Sequence, residues 1–189
     1  MGSLFKFSMF ITSFIPLWIT VLFLDVLSIV NSDCYHWTEY LSIGTIFILN
    51  IFSVCILFNA IHSLQPSEFN TYRVVEAQQE KGITSEFLLS YVLPLFVFDF
   101  TKWDGVCQFL IYFVILGFLC IRNNNVYANL IFELKNYRFY TCEVQWPTEK
   151  KTSTNCIVIS NTNLVSKKGN VIKIAVLNKP FYFMNDSME

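Results

Sequence analysis

Residues 40–61 of the chain read YLSIGTIFILNIFSVCILFNAI, without a charged side chain. An α-helix needs about 20 predominantly apolar residues to cross a hydrocarbon core about 30 Å thick, and this stretch has that length. Residues 8–30 form a similar block that holds one charge, Asp25. Two such blocks predict a protein that works in a membrane.

Two shorter apolar blocks follow, at residues 86–100 and 106–121. As helices they are about 23 Å long, at about 1.5 Å per residue. Flanking residues and local thinning of the bilayer allow such segments to cross. The pattern therefore predicts a mostly α-helical membrane protein, with four transmembrane helices in residues 1–121 and a cytoplasmic connector at residues 62–85.

The connector itself predicts a short interfacial or cytoplasmic helix. Ser67 suits the cap at its start, Gly82 suits its end, and Phe69, Tyr72 and Val75 fall near one helical face. After it, the fourth block leads into residues 122–189, where short runs of Val, Ile, Tyr and Phe alternate with turn-like stretches. These runs predict three or four strands in a small cytoplasmic β-rich domain. We expect at least one open strand edge there, which another chain can pair with.

The basic residues predict the orientation. The loop at residues 31–39 has no Lys or Arg, and the loop at residues 101–105 has only Lys102. The other basic residues lie at Lys6, in the connector and from Arg122 onward. The positive-inside rule then places both termini and the connector in the cytoplasm.

Four residues within the spans stand out: Asp25, Asn50, Asn59 and Pro94. A carboxylate in a span usually faces a bundle interior or water; Asp25 lies near the outer interface, so a snorkelling or protonated group is favoured over a sensing or conducting one. Asn50 and Asn59 lie on opposite sides of one helix, so each is predicted to hydrogen-bond a neighbouring helix or subunit. Pro94 predicts a kink, either structural or a gating bend.

Three charged residues flank a tryptophan between the last two apolar blocks. The cluster consists of Asp99, Lys102, Trp103 and Asp104. Such a cluster is typical of the outer membrane interface, and detection of an external signal is the alternative interpretation.

The tail carries a candidate partner-docking set, made of Lys167, Lys168, Lys173, Phe181 and Phe183. Charges in turns are usually only solvated. The alternatives are attraction to the anionic inner leaflet or to an acidic partner. No nucleic-acid-binding motif occurs in the tail, so direct nucleic-acid binding is not expected.

Enzyme chemistry has little support in the sequence. The chain has two His and six scattered Cys, with no CxxC pair. It offers no Ser–His–acid arrangement, no Gly-rich phosphate loop and no paired carboxylates on one helix face. We predict that the protein is not an enzyme and has no catalytic residue, cofactor or metal site.

Several stretches carry a resemblance to a known family. They are EFLLSYVLPL at residues 86–95, YANL at 127–130 with Tyr137 and Tyr140, IVIS at 157–160, and LNKPFY at 177–182. With the layout of the chain, they resemble the membrane subunit of the Kiwa antiphage defence system. The resemblance implies a bacterial inner-membrane protein that forms a homo-oligomer, a tetramer, in contact with membrane lipids. It also implies recruitment and regulation of a cytosolic DNA-binding effector subunit, to which phage infection is reported.

Two function classes remain open. One is a membrane-embedded sensor and scaffold whose β domain docks a soluble effector. The other is an oligomeric ion channel or pore-forming effector, which needs a polar stripe along a helix. The spans show isolated polar residues rather than a stripe, so the sequence favours the scaffold.

Overall fold

The computed structural model describes residues 2–31, 37–80, 97–98, 102–123, 129–146 and 153–184. These residues fall into two compact units. The helical unit comprises Lys6–Ile56 and Ile83–Leu130, and the barrel unit comprises Met1–Phe5, Leu57–Gly82 and Ile131–Glu189.

Long apolar helices dominate the first two thirds of the chain. They are α1 (Gly2–Ser13), α2 (Ile15–Asn31), α3 (Trp37–His62) and α4 (Trp103–Arg122). By length and composition α3 and α4 are each able to cross a membrane, whereas α1 and α2 pass that test only as a pair bent by 57°. The described residues thus hold two candidate spans, or three if the bent pair counts as one.

The predicted architecture of four transmembrane helices followed by a small β-rich domain is therefore wrong. The described part of the chain has two long candidate spans, five helices and a five-stranded sheet. The first apolar block is not one straight helix, and the connector does not form the predicted helix. Of the third block, residues 86–96 and 99–100 lie outside the described residues.

Pro16 explains why the first block breaks. Proline has no N–H, so the carbonyl of Thr12 loses its usual partner four residues on, and the ring hinders a continuous helix. At the break, the Phe14 N–H donates to the Ile11 carbonyl at 3.2 Å. The Trp18 indole N–H donates to the same carbonyl at 3.1 Å.

Side chains also occupy the backbone acceptors of α1 beside the break. The Thr12 hydroxyl donates to the Ser8 carbonyl at 2.7 Å, and the Ser13 hydroxyl donates to the Met9 carbonyl at 2.7 Å. The buried Asn129 amide donates to the Met9 carbonyl at 3.1 Å and to the Thr12 hydroxyl at 2.8 Å. Such bonds are what an irregular backbone requires where water is absent.

Aromatic rings fill the interior of the helical unit. Phe113 on α4 contacts Phe10, Phe14 and Trp18, with ring centroids 4.8, 5.2 and 5.1 Å apart. One turn further along α4, Gly117 lies so close to the first of these rings that an added Cβ would meet Phe10 Cε1 at 2.9 Å. A glycine is needed there because of this close approach.

The second unit is a closed five-stranded β-barrel. Its strands are β1 (Asn70–Gln79), β2 (Arg138–Gln145), β3 (Ser153–Ser160), β4 (Val171–Asn178) and β5 (Phe181–Phe183). They follow the order β1-β2-β3-β5-β4, and β4 pairs back with β1. All pairs are antiparallel except β3 with β5. This order is that of an OB-fold barrel.

Strand β1 comes from the connector. Its side chains alternate, with Tyr72 and Val74 buried and Thr71 and Arg73 exposed. This period of two residues indicates a strand, so the helical interpretation of the connector is wrong. Between β1 and β2 the chain places α4 and the short helix α5 (Leu130–Leu134).

The barrel is apolar on the inside and along part of its outside. The interior cluster includes Tyr140, Val144, Val158 and Ile174, all at most 1% exposed. Strand β3 is buried on both faces, because Ile157 and Ile159 are also covered.

Aromatic contacts within the barrel unit cover this outer side. Phe5 contacts Phe181 at 6.0 Å between ring centroids, and Phe132 contacts Phe139 at 5.6 Å. The outer face of β2 and β3 binds oligonucleotides in OB folds, and here its part at Ile157 and Ile159 is covered. Because the barrel is closed, the expected open strand edge is also wrong.

Candidate interaction surface

The outer face of β1 and β4 combines basic and apolar side chains. Arg73 lies opposite Val171, and Thr71 lies opposite Lys173, in the antiparallel register. All four are exposed, and Val171 keeps 48% of its surface accessible. Alternation along the strands places these four side chains on one face.

A short loop extends this face. Leu164, fully buried, anchors a 3₁₀ turn at Leu164–Lys167. Beyond it, the Gly169 N–H donates to the Val74 carbonyl at 2.8 Å, and the Val74 N–H donates to the Asn170 carbonyl at 3.0 Å. Gly169 has a φ of 85°, which glycine adopts readily. The exposed Lys168 is thus held beside β1 in a fixed loop.

Trp146 lies at the end of β2 beside the inward-facing Tyr72, and not on the outer face that carries Arg73. It follows Gln145, the register partner of Arg73, and is 42% exposed. Its ring contacts Tyr72 with centroids 4.5 Å apart. Burial raises the pKa of the Tyr72 hydroxyl, so this hydroxyl stays neutral well above physiological pH.

We call the outer face of β1 and β4 the docking surface: Arg73, Val171 and Lys173, with Lys168 in the loop beside it. Arg is one of the residue types that most often dominate binding energy at protein interfaces. Next to it, Glu76 on β1 lies opposite Glu143 on β2, so the adjoining face of the barrel is acidic. A basic face beside an acidic one favours an acidic partner and orients it.

The structure divides the docking residues predicted from the sequence. Lys168 and Lys173 are exposed on the docking surface, and Lys167 is half-buried at the end of the 3₁₀ turn. Phe181 and Phe183 are 0% and 3% exposed, so neither presents a surface to a partner.

Sequence reasoning missed Arg73 and Val171. The alternation in residues 70–79 is the signal for Arg73, because it shows that this residue points outward from a strand. For Val171 the sequence gives no comparable signal, since its position beside Arg73 depends on the pairing of two distant strands.

The polar residues of the spans are placed as follows. The Asp25 carboxylate is hydrogen-bonded by the Ser42 side chain and lies near Glu39, which also accepts a bond from Ser28 at 3.1 Å. Asn50 donates to the Ile46 carbonyl of its own helix at 2.9 Å, not to another helix. Asn59 is exposed, and Pro94 lies outside the described residues.

The predicted outer-interface cluster lies at the start of α4. Lys102 is the N-cap residue of the helix, Asp104 lies in its first turn, and Trp103 is 69% exposed. Asp99 lies outside the described residues.

Two cysteines face each other inside the barrel. Cys142 on β2 is the register partner of Cys156 on β3, and both thiols are free and buried. Burial raises the pKa of each to about 12, so they stay protonated and unreactive. Within the described ranges, no group of three His, Cys, Asp or Glu side chains could hold a metal ion.

Comparison with known proteins identifies relatives of the chain. A family model described as anti-phage protein KwaA matches residues 5–183. Kiwa protein KwaA of Escherichia coli O55:H7 (strain RM12579 / EPEC) is 26% identical over 92 residues, which is 49% of this chain and 47% of that relative. The chain thus spans about half the length of the curated relative it matches. No solved structure matches. The resemblance drawn from the sequence is confirmed.

Proposed function

The chain belongs to the KwaA family of anti-phage proteins, and we propose that it is a membrane-embedded sensor and scaffold that recruits a cytosolic effector subunit. In this proposal the helical unit lies in the bacterial inner membrane and the barrel unit in the cytoplasm. The protein catalyses no reaction of its own. The effector is a DNA-binding protein that carries an acidic surface, and the scaffold acts as a homo-oligomer, a tetramer.

The docking surface is the observation that carries the proposal. It places an exposed Val between two cations, Arg73 and Lys173, on one face of the barrel, with Lys168 in the loop beside them. Desolvated Arg groups contribute affinity, and surrounding charges steer the encounter. The part of the β2–β3 face at Ile157 and Ile159 cannot serve, since both side chains are buried.

The exposed apolar side chains of the helices support the membrane location and the oligomer. Ile48 on α3 and Val114 on α4 are 70% and 68% exposed, and many of their neighbours are similar. Contiguous apolar surface of this kind suits lipid or another copy of the chain. The Asn50 amide oxygen and the Ser53 hydroxyl, buried without a hydrogen-bond partner in the described part of the chain, are candidates for bonds between copies.

Contacts within the barrel unit also support the proposal that both termini lie on the same side of the membrane. Phe5, near the N-terminus, contacts Phe181, near the C-terminus, and both belong to the barrel unit. The loop at residues 31–39 has no Lys or Arg. By the positive-inside rule, the side with the basic barrel is the cytoplasm.

The test uses a matched pair of charge reversals. Lys173→Glu changes the docking surface, and Lys179→Glu makes the same change at an exposed residue on the same barrel. The two positions are about 20 Å apart along an extended strand, at about 3.3 Å per residue. Tagged full-length variants are expressed in cells with their defence system, and proteins that co-purify from the membrane fraction are quantified.

We expect Lys173→Glu to reduce the recovered effector and phage protection together, and Lys179→Glu to leave both unchanged. Raising the salt concentration should weaken recovery with the wild-type protein as well. Equal recovery with both variants would refute the assignment of the docking surface. Recovery of the tagged protein in the soluble fraction would refute the membrane location.

A further inference from the structure

A cavity of about 380 Å³ lies in the barrel unit. Its walls come from the last turns of α3, the segment leading into β1, α5 and the outer side of the barrel. Residues that carry the argument are Phe58, His62, Phe69, Phe132, Lys135 and Phe183. Its volume falls within the range of about 300–1,000 Å³ typical of small-molecule sites.

The cavity is lined mostly by apolar side chains, with two nitrogen-bearing side chains among them. Apart from His62 and Lys135, every lining residue is apolar or aromatic, and none is acidic. Lys135 Nζ lies 4.0 Å from the centroid of the Phe58 ring, a cation–π contact. In the part of the chain that the structure describes, no carboxylate forms an ion pair with Lys135. An apolar chamber with a lysine ammonium, an imidazole donor and no acid selects an anionic amphiphile.

The position of the cavity indicates the source of that amphiphile. His62 is the last residue of α3, a 26-residue helix that is able to cross a membrane. The end of a spanning helix lies where acyl chains give way to headgroups. Basic pockets at this depth on the cytoplasmic side bind anionic lipid headgroups. This step relies on the membrane location of α3 in the proposed function.

We infer that the cavity binds one anionic phospholipid of the inner leaflet. The headgroup phosphate accepts hydrogen bonds from Lys135 and His62 at the rim. The adjoining apolar part of the lipid lies against Phe58, Ile61 and Phe69, which line the cavity and are half-buried, whereas Phe132 and Phe183 are almost fully buried behind it. A free phosphate ester would leave these apolar walls without a partner, so a lipid fits the whole lining better.

The test measures lipid retention by the full chain, purified in mild detergent, by native mass spectrometry. The probes are dioleoyl-phosphatidylglycerol, dioleoyl-phosphatidylcholine and sn-glycerol 3-phosphate. We expect retention of the phosphatidylglycerol alone. Lys135→Gln should reduce it about fivefold, the effect of one basic residue close to an anionic lipid. Lys135→Arg should preserve it, as should Lys179→Gln, the matched loss of an exposed lysine elsewhere in the barrel unit.

Three results would overturn the inference: equal retention of both lipids, unchanged retention in Lys135→Gln, or full displacement by sn-glycerol 3-phosphate. The last would identify a free phosphate ester as the ligand. Elution volume and thermal midpoint are compared first, so that a misfolded variant is not scored. The assay contains no effector, and membrane fractionation is measured separately, so loss of lipid binding is distinguishable from failure of the proposed function.

Discussion

The two units of the protein bury apolar side chains in opposite ways. In the helical unit, large residues such as Phe23 and Ile48 are 63% and 70% exposed, and the interior is a small group of aromatic rings. In the barrel unit, β3 is buried on both faces, and few large apolar residues remain outside. The contrast supports the proposed membrane location of the helical unit, because exposed apolar side chains are favourable in lipid, whereas in water they are favourable only in the interior.

The largest expected effect comes from placing a charge inside the barrel. Val158 is 0% exposed in the interior cluster, whereas Val176 on β4 is 39% exposed. A buried unpaired carboxylate costs several kcal/mol, a large part of the total stability of a domain. We expect Val158→Asp to abolish protease resistance of the barrel unit, and Val176→Asp to preserve it. Similar resistance of both variants would mean that the barrel interior is not a dry core.

A smaller effect is expected from overpacking the helical unit. At Gly117 an added Cβ would meet Phe10 Cε1 at 2.9 Å, whereas at Gly44 on α3 nothing lies within 4 Å. The Phe10 ring has little room to move, since it is 2% exposed and contacts Phe14 and Phe113.

Gly117→Leu should therefore destabilise the protein by about 1–3 kcal/mol, as overpacking usually does. Gly44→Leu should be tolerated. Thermal midpoints in detergent compare the two variants. A loss at Gly44 equal to that at Gly117 would show that the exposed face of α3 is itself a packed interface.

The smallest effect concerns the polar bonds at the break in the first block. Asn129→Ala removes two donated hydrogen bonds, to the Met9 carbonyl and to the Thr12 hydroxyl. The Met9 carbonyl keeps the hydroxyl of Ser13 at 2.7 Å, so it is not left without a partner. We expect a loss of about 1 kcal/mol, the net value of an ordinary hydrogen bond.

The control for this change is Thr45→Ala, which removes an exposed bond to the Leu41 carbonyl within α3. It should have little effect on the thermal midpoint. If neither substitution lowers the thermal midpoint, the bend between α1 and α2 does not depend on the hydrogen bonds of Asn129.

The sequence predicted the apolar blocks and the strand-rich tail, but not how they are used. A helix in lipid can be apolar on all sides, so the pattern of apolar residues in the first block does not show where the helix breaks. Pro16 was the one residue that could have indicated the break. Strand β1 was missed because Phe69, Tyr72 and Val75 suit a helix, while the buried residues are Tyr72 and Val74. The docking surface joins Arg73 to Val171, and only strand pairing between distant segments brings them together.

The order of strands along the chain has a consequence for biosynthesis. Strand β1 leaves the ribosome before α4, and its partners β2 and β4 leave after it. Until then β1 has no neighbour on either side, and Arg73 has no Val171 to lie beside. A stalled or truncated chain that already carries α3 and α4 therefore displays no docking surface. The barrel closes only after β5 has been made, so under the proposed function an effector would not be recruited by chains that end before these strands.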